Sequence, residues 1–471
     1  MFHNSSDTIC AISTPPGQGG IAIIRISGVD AFAICTRIFK PAIFQSKINP
    51  ELDSEQKSII TFGRIFSSDE ILDEVLVLTF HAPHSYTGEN VVEISCHGSL
   101  YIQQEILKLL LANGCRMATA GEFTQRAFLN GKLDLSQAEA VSDLIAASSA
   151  SSHRIAIQQM RGGFSNELAV LRDRLLHFTS LVELELDFSD EDVEFADRTQ
   201  LKDLAQQIAA VIRRLVDSFG TGNAIKNGIP VAIVGETNVG KSTLLNRLLR
   251  DNKAIVSDIH GTTRDAIEDT VVIDGLLFRF IDTAGIRKTC DTIEQLGIER
   301  TFQKIEQASI VLWVIDLTNE TQETEQLATQ IISRREGKKL ILTLNKADML
   351  TDEERKQKTA YYSRFHEDYI VISAKSDADI AALERKLIET ANIPRIGEND
   401  VIVTNLRHYE ALTHALSAIE RVIEGLDAGI SGDFLSQDIR ECLSYLGEIT
   451  GQQISTEEVL GNIFSRFCIG K

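Results

Sequence analysis

Three kinds of hydrophobic pattern follow one another along the chain. In residues 1–122 short apolar runs stand between Gly-rich turns: I-A-I-I-R-I at 21–26, V-L-V-L-T-F at 75–80 and V-V-E-I-S-C at 91–96. Such runs, bounded by turn residues, predict strands. Apolar spacing near 3.6 over 31–39 and 101–112 predicts helices between them. This reads as a compact α+β domain. From 136 to 218 the pattern is almost wholly helical, rich in Ala and Leu and without proline. At Ile229 it changes to strands alternating with helices, as in an α/β domain. Helical periodicity returns after Pro394, over 406–426 and 434–449. Both helical stretches are amphipathic and need another apolar face to bury. The economical arrangement packs 123–223 against 391–471, with the α/β segment 224–390 inserted between them. The alternative is two separate helical modules.

Composition narrows the class. The chain has 471 residues, 43% hydrophobic and 24% charged, the balance of a globular protein with several domains. Its apolar runs are strand-sized, far short of the roughly 20 residues that a membrane helix needs. The N-terminus shows no basic segment followed by an apolar one, so no signal peptide is expected. Seven cysteines occur singly with no C-x-x-C pair, which predicts reduced thiols and a cytoplasmic location. The net charge of −20 argues against gripping nucleic acid with a broad basic face. Glu183 to Asp197 carries no basic residue and reads as a solvated acidic stretch. An RNA substrate would be met with the help of a basic partner protein.

The strongest chemical signal is G-E-T-N-V-G-K-S-T at 235–243, between the apolar run I-P-V-A-I-V and a helix opening L-L-N-R-L-L. That context identifies a P-loop. Glycines let backbone N–H groups converge on phosphate oxygens, and the helix N-terminus adds positive potential. Asn238, Val239, Gly240, Lys241, Ser242 and Thr243 would line the phosphates, with Lys241 on the β- and γ-phosphates and the Ser242 hydroxyl on Mg2+.

The remaining elements come in the order that GTP binding requires. Ser257, Asp258, Ile259, His260, Gly261, Thr262 and Thr263 form a loop in which Thr263 supplies a second Mg2+ ligand. A hairpin with an Asp274-Gly275 turn leads to Asp282, Thr283, Ala284 and Gly285, whose last N–H can meet the γ-phosphate. Asn345-Lys346-Ala347-Asp348 selects the base. The Asp348 carboxylate accepts from guanine N1–H and the 2-amino group, donors that adenine lacks. Ser373, Ala374 and Lys375 fit the second base loop.

Hydrolysis is less legible. Ile286 stands where Ras-like enzymes place a water-orienting glutamine. Glu294 is a candidate for that role and equally an exposed loop carboxylate. Arg264 and Arg287 are weak candidates for an arginine finger. Asn238 reads either as a ligand for a monovalent cation beside the phosphates or as a turn-stabilising residue.

With these residues placed, the chain closely resembles the MnmE (TrmE) family of tRNA-modification GTPases. The likeness runs through T-P-P-G-Q-G-G-I-A-I-I-R-I-S-G, Y-T-G-E-N-V-V-E-I-S-C-H-G, G-E-F-T-Q-R-A-F-L-N-G-K-L-D-L-S-Q-A-E-A, the nucleotide motifs and the terminal F-C-I-G-K. The resemblance implies a multidomain α+β and α/β fold: an N-terminal folate and dimerisation domain, a helical domain and an inserted Ras-like G domain. It implies K+ held by Asn238, Ser257, Ile259 and Thr262, and Glu294 as the glutamate that orients water indirectly. It implies a homodimer whose paired G domains assemble the active site. A 5-formyl- or 5,10-methylene-tetrahydrofolate would bind at Arg25, Glu93, Lys132 and Lys471, where a carboxylate suits the pterin edge and cations suit the glutamyl tail. Cys468 lies in the family's C-x-G-K motif, linked to the modification. The loop departs from the family's G-x-P-N in having Thr237 for proline, which leaves its backbone freer. His81, His84, Cys96 and His97 lack the spacing of a closed zinc site.

The implied activity is K+-stimulated GTP hydrolysis. With the flavoprotein MnmG, expected as a heterotetramer, it would add an aminomethyl or carboxymethylaminomethyl group at C5 of the tRNA wobble uridine. The runner-up is a ribosome-assembly switch of the Era/Der type, which would normally append a basic RNA-binding module. A third reading is a G-domain scaffold whose N-terminal domain only dimerises.

Overall fold

The computed structural model describes residues 7–42, 58–67, 70–187, 198–252, 269–281, 305–319, 322–333, 337–394, 397, 400–452 and 470. The chain divides into two compact units. One holds Met1–Ser142, Gln159–Asp197 and Gly425–Lys471; the other holds Asp143–Gln158 and Arg198–Glu424.

The N-terminal region runs β1 (Ile9–Ile12), β2 (Ile21–Ser27), α1 (Ala31–Ile38), β3 (Phe39–Pro41), β4 (Ser58–Ser67), β5 (Glu70–Phe80), β6 (Val91–His97), α2 (Leu100–Ala112), β7 (Arg116–Met117) and α3 (Glu122–Leu129). Its seven-stranded sheet has the order β3-β4-β5-β6-β2-β1-β7. All pairings are antiparallel except β1 with β7. Alternation puts Ile24, Ile26, Val75, Val77, Val92 and Ile94 on the buried face, where they pack with Ile34, Ile38, Ile106 and Leu110 of the two helices. The helix expected over 31–39 stops at Ile38. Phe39 is extended (φ −113°, ψ 133°) and opposes Ile65 in the sheet, a pairing that outweighs its helical spacing.

Four helices follow: α4 (Leu135–Ala146), α5 (Ala150–Met160), α6 (Gly163–Asp187) and α7 (Arg198–Asn227). The α/β region then runs β8 (Ile229–Val234), α8 (Lys241–Asn252), β9 (Asp269–Ile273), β10 (Leu276–Phe280), β11 (Ile310–Asp316), α9 (Gln322–Ser333), β12 (Lys339–Asn345), α10 (Asp352–Tyr362), β13 (Tyr369–Val371) and α11 (Asp377–Ala391). The chain closes with α12 (Leu406–Asp427) and α13 (Gly432–Thr450).

The two helical stretches meet in both units. In the first, α6 buries Phe164, Leu168, Leu171, Leu175, Phe178 and Val182, and α13 buries Leu435, Ile439, Cys442, Leu446 and Ile449. These positions repeat at alternating intervals of four and three, so each helix presents one continuous apolar seam, and α6 and α13 pack together. In the second, the ring of Phe219 on α7 stacks on Tyr409 of α12 with centroids 4.4 Å apart. The Ser218 hydroxyl accepts from the Val403 N–H at 3.0 Å.

The second sheet has the order β13-β12-β11-β8-β10-β9, parallel except for β9. β8 lies inside it, between β11 and β10. Both faces are covered by apolar clusters, one containing Ile233, Leu244 and Leu248, the other Trp313, Ile315 and Leu342. Burial on both faces explains the unbroken apolar runs of β8, β11 and β12. The expected Asp274-Gly275 turn is present, with φ of 48° and 78°, and closes the β9–β10 hairpin.

Candidate functional site

The P-loop leaves the C-terminal end of β8 and enters α8 at Lys241, in the crevice where ligands of parallel sheets bind. Its path needs residues that tolerate left-handed backbone: Gly235 (φ 147°), Asn238 (φ 62°) and Gly240 (φ 102°). Close approach also demands glycine. A Cβ on Gly235 would fall 2.3 Å from the Val314 carbonyl oxygen, and one on Gly240 2.3 Å from Asn345 Nδ2. Lys241 Nζ donates to the carbonyls of Gly235 at 2.7 Å and Glu236 at 2.5 Å, so its ammonium already lies over the loop. Ser242 and Thr243 occupy the first turn of α8. The Ser242 hydroxyl is a hard oxygen donor at a helix N-terminus beside the phosphate cradle, which suits Mg2+ bound together with phosphate. A cavity of about 250 Å3 borders the loop, lined in part by Glu236, Asn238, Asp316 and Thr324.

The N-K-A-D and S-A-K loops sit at the same edge. Asn345 ends β12 and is 1% exposed. Its Nδ2 donates to the Val239 carbonyl at 2.7 Å, and its Oδ1 accepts from the Ala374 N–H at 3.0 Å. Lys346 adopts the left-handed conformation (φ 63°) and turns the chain into a 3-10 turn containing Asp348, which is exposed. Lys346 Nζ pairs with Asp316 Oδ2 at 2.6 Å. Burial pushes the Asp316 carboxyl up, but Lys346 and the Thr318 hydroxyl and N–H together hold it below the usual carboxylate value. Ser373 Oγ accepts from the Lys375 N–H at 3.3 Å, and the Ser373 N–H donates to Asp379 at 2.8 Å, fixing the S-A-K loop.

Direct hydrogen bonds through Asn345 thus join the phosphate loop, the N-K-A-D turn and the S-A-K loop. Ser257, Asp258, Ile259, His260, Gly261, Thr262, Thr263, Asp282, Thr283, Ala284, Gly285, Glu294, Cys468 and Lys471 lie outside the described residues.

A second cluster lies in the N-terminal region. Arg25 of β2 opposes Glu93 of β6 in register and bonds to its carboxylate at 2.8–2.9 Å. The Arg25 guanidinium lies 5.3 Å from the Tyr86 ring centroid and 5.6 Å from that of Phe123. Lys132 Nζ donates to the Pro83 carbonyl at 3.0 Å, and so reaches the 81–90 segment that also carries Tyr86. Nearby, Glu122 bonds Arg116 at 2.7 Å and Arg126 at 3.1 Å. Burial pushes the Glu122 carboxyl up, but the hydrogen bonds from Arg116 and Thr119 and the charges of Arg116 and Arg126 outweigh it and hold it at about 2. Among the described residues no group of three or more His, Cys, Asp or Glu side chains is placed to hold a metal, and no helix is long and apolar enough to cross a membrane.

Two family models match the chain: the MnmE helical domain over residues 135–468 and the GTP-binding protein TrmE N-terminus over residues 8–132. The tRNA modification GTPase MnmE of Bacteroides thetaiotaomicron is 59% identical over 470 residues, covering 99% of this chain and 100% of the relative. The chain belongs to the MnmE family. The MnmE of Flavobacterium johnsoniae is 53% identical over 470 residues, covering 99% of this chain and 100% of the relative. A crystal structure of a variant of Aquifex aeolicus Era bound to GDP and AlF4− is 26% identical, covers 40% of this chain and 66% of that chain, and has a TM-score of 0.28.

For an MnmE-family chain, the residues that support the described motifs were not legible in the sequence. Asp316 and Thr324 carry no motif of their own and become visible only through their contacts with Lys346 and Glu236. Tyr86 and Phe123 stood within the quoted family blocks, yet nothing in their spacing says that they flank Arg25.

Proposed function

We propose that this chain binds and hydrolyses GTP and that hydrolysis serves tRNA modification at C5 of the wobble uridine. The observation that carries the reading is the Asn345 bridge, which sets the phosphate loop and both base loops at fixed separation. The full-length MnmE relatives favour it over an Era/Der-type assembly switch.

Ser242 and Thr263 would hold Mg2+; Asn238, Ser257, Ile259 and Thr262 would hold K+. Glu294 would orient the attacking water. A tetrahydrofolate one-carbon donor would bind at Arg25, Glu93, Lys132 and Lys471, and Cys468 would act in the modification. The flat aromatic faces and paired charges around Arg25 suit a pterin with an anionic tail. The molecule would work in the cytoplasm as a homodimer with the MnmG flavoprotein, which would supply flavin chemistry and much of the tRNA grip, in keeping with the charge of −20. The division into 1–122, 123–223, 224–390 and 391–471 would separate folate binding from nucleotide hydrolysis.

The deciding experiment is nucleoside analysis of tRNA from cells lacking this protein. Loss of the modified wobble uridine, restored by the wild-type gene, is expected. An unchanged nucleoside profile would remove the tRNA role while leaving GTP hydrolysis to be measured separately.

A further inference from the structure

Glu236, the second residue of the P-loop, is tied to a helix 88 positions downstream: Thr324 Oγ1 donates to Glu236 Oε1 at 2.5 Å. Thr324 is 5% exposed and is the third residue of α9. The carboxylate therefore also sits by a helix N-terminal turn, where the backbone dipoles favour negative charge. At its other end the loop is held by the bond from Asn345 to the Val239 carbonyl. Between these anchors lie Thr237 and Asn238, both exposed, and Asn238 holds the left-handed conformation. Asn tolerates this conformation, so the position of the turn depends on how its two ends are held.

We propose that Glu236 and Thr324 form a positioning pair for the phosphate loop, an inference that rests on the GTPase reading above. Neither side chain needs to touch phosphate. The pair holds the Glu236 backbone, whose carbonyl receives Lys241 Nζ, and fixes the entry to the turn at Asn238. Asn345 still anchors the loop at Val239, so the spacing that binding needs survives and ground-state binding suffers little. The transition state tolerates far less misplacement, so turnover suffers more.

The test uses the full chain with Thr324→Val, Thr324→Ser, Glu236→Ala and the double variant Glu236→Ala/Thr324→Val. Thr324→Val keeps the shape and removes the donor. Its kcat for GTP is expected to fall about tenfold with KM changed less than about threefold. Thr324→Ser should recover turnover to within about twofold, and the double variant should be no slower than Glu236→Ala. Wild-type kcat in Thr324→Val, equal loss in the Ser and Val variants, or losses that multiply in the double variant would each overturn the pair. A wild-type protein that turns over no GTP overturns the GTPase reading and the pair with it. Normal wild-type turnover with an unaffected Val variant overturns the pair alone.

Discussion

The side-chain amide of Asn345 donates to the backbone carbonyl of Val239 across 2.7 Å, linking the end of β12 to the phosphate loop. The same side chain receives the Ala374 N–H, so one buried amide sets the spacing of three loops. A nucleotide presents base and phosphates at opposite ends and needs that spacing held before it binds, because ordering the loops afterwards would cost affinity.

Asn345→Ala removes both bonds and strands the Val239 carbonyl beside the loop. The loss is expected to be about 2–3 kcal/mol, or roughly 30- to 150-fold in the Kd for GDP. Fluorescence titration with a labelled nucleotide measures it. A change below about threefold would show that the spacing is set elsewhere.

Asp348 leaves the short turn after β12 exposed, with Lys346 clamped to Asp316 behind it. Asp348→Asn replaces an acceptor pair by an acceptor and a donor, which matches xanthine better than guanine. Affinity for GTP should fall by about 100-fold or more while that for xanthosine triphosphate rises. Competition between the two nucleotides decides it; unaltered guanine preference would remove Asp348 from base recognition.

Glu294 lies where the sequence alone speaks, and its two readings separate cleanly by kinetics. As the residue that orients water, Glu294→Ala should lower kcat by about 100-fold or more and leave GDP affinity within about threefold. Replacing K+ by Na+ should also slow the wild type if Asn238 and its loop hold the cation. Full turnover in the variant would make Glu294 an ordinary surface carboxylate, and equal rates in the two salts would end the cation reading.

What the sequence made legible follows from how each feature is encoded. The P-loop, the hairpin turn and N-K-A-D were readable because each demands a residue type at a fixed position: glycine for close approach at Gly235 and Gly240, and Asp-Gly for the turn at 274–275. The seams of α6 and α13 were readable as amphipathic stretches, and their packing on each other was the expected arrangement, as found; which residues meet was not readable, since periodicity says that a face is buried and not what each position touches. Phe39 shows the same limit, its helical spacing yielding to a pairing with Ile65. Glu236 with Thr324, and Arg25 between Tyr86 and Phe123, were hidden because they join residues far apart in the chain with no pattern of their own.

The Glu122 network gives the N-terminal region a pH dependence of known sign. With its carboxyl held at about 2, below the ordinary value, Glu122 contributes stability that is complete near neutral pH and fades as pH falls toward 2. Glu122→Ala leaves Arg116 and Arg126 short of a partner and should cost about 3 kcal/mol at pH 7. In urea unfolding followed from pH 7 to pH 3, the gap between wild type and variant should hold level to about pH 5 and narrow below it. A gap that stays constant would mean the variant acts through packing and not through the charge.

Lys132 offers the cleanest probe of the N-terminal cluster, because the described bond of its side chain goes from an exposed ammonium to the Pro83 carbonyl. Arg25 and Glu93 satisfy each other, so replacing either disturbs the sheet as well as any ligand. Lys132→Ala should therefore leave the melting temperature within about 2 °C, as surface changes usually do. If the ammonium meets the anionic tail of a folate, the same change should weaken binding of 5-formyltetrahydrofolate by about tenfold, the effect of one charge-assisted bond. Calorimetry on the full chain reads both numbers. Undiminished folate binding would take Lys132 out of the site, and no binding by the wild type would leave the aromatic and charged cluster around Arg25 as a structural element only.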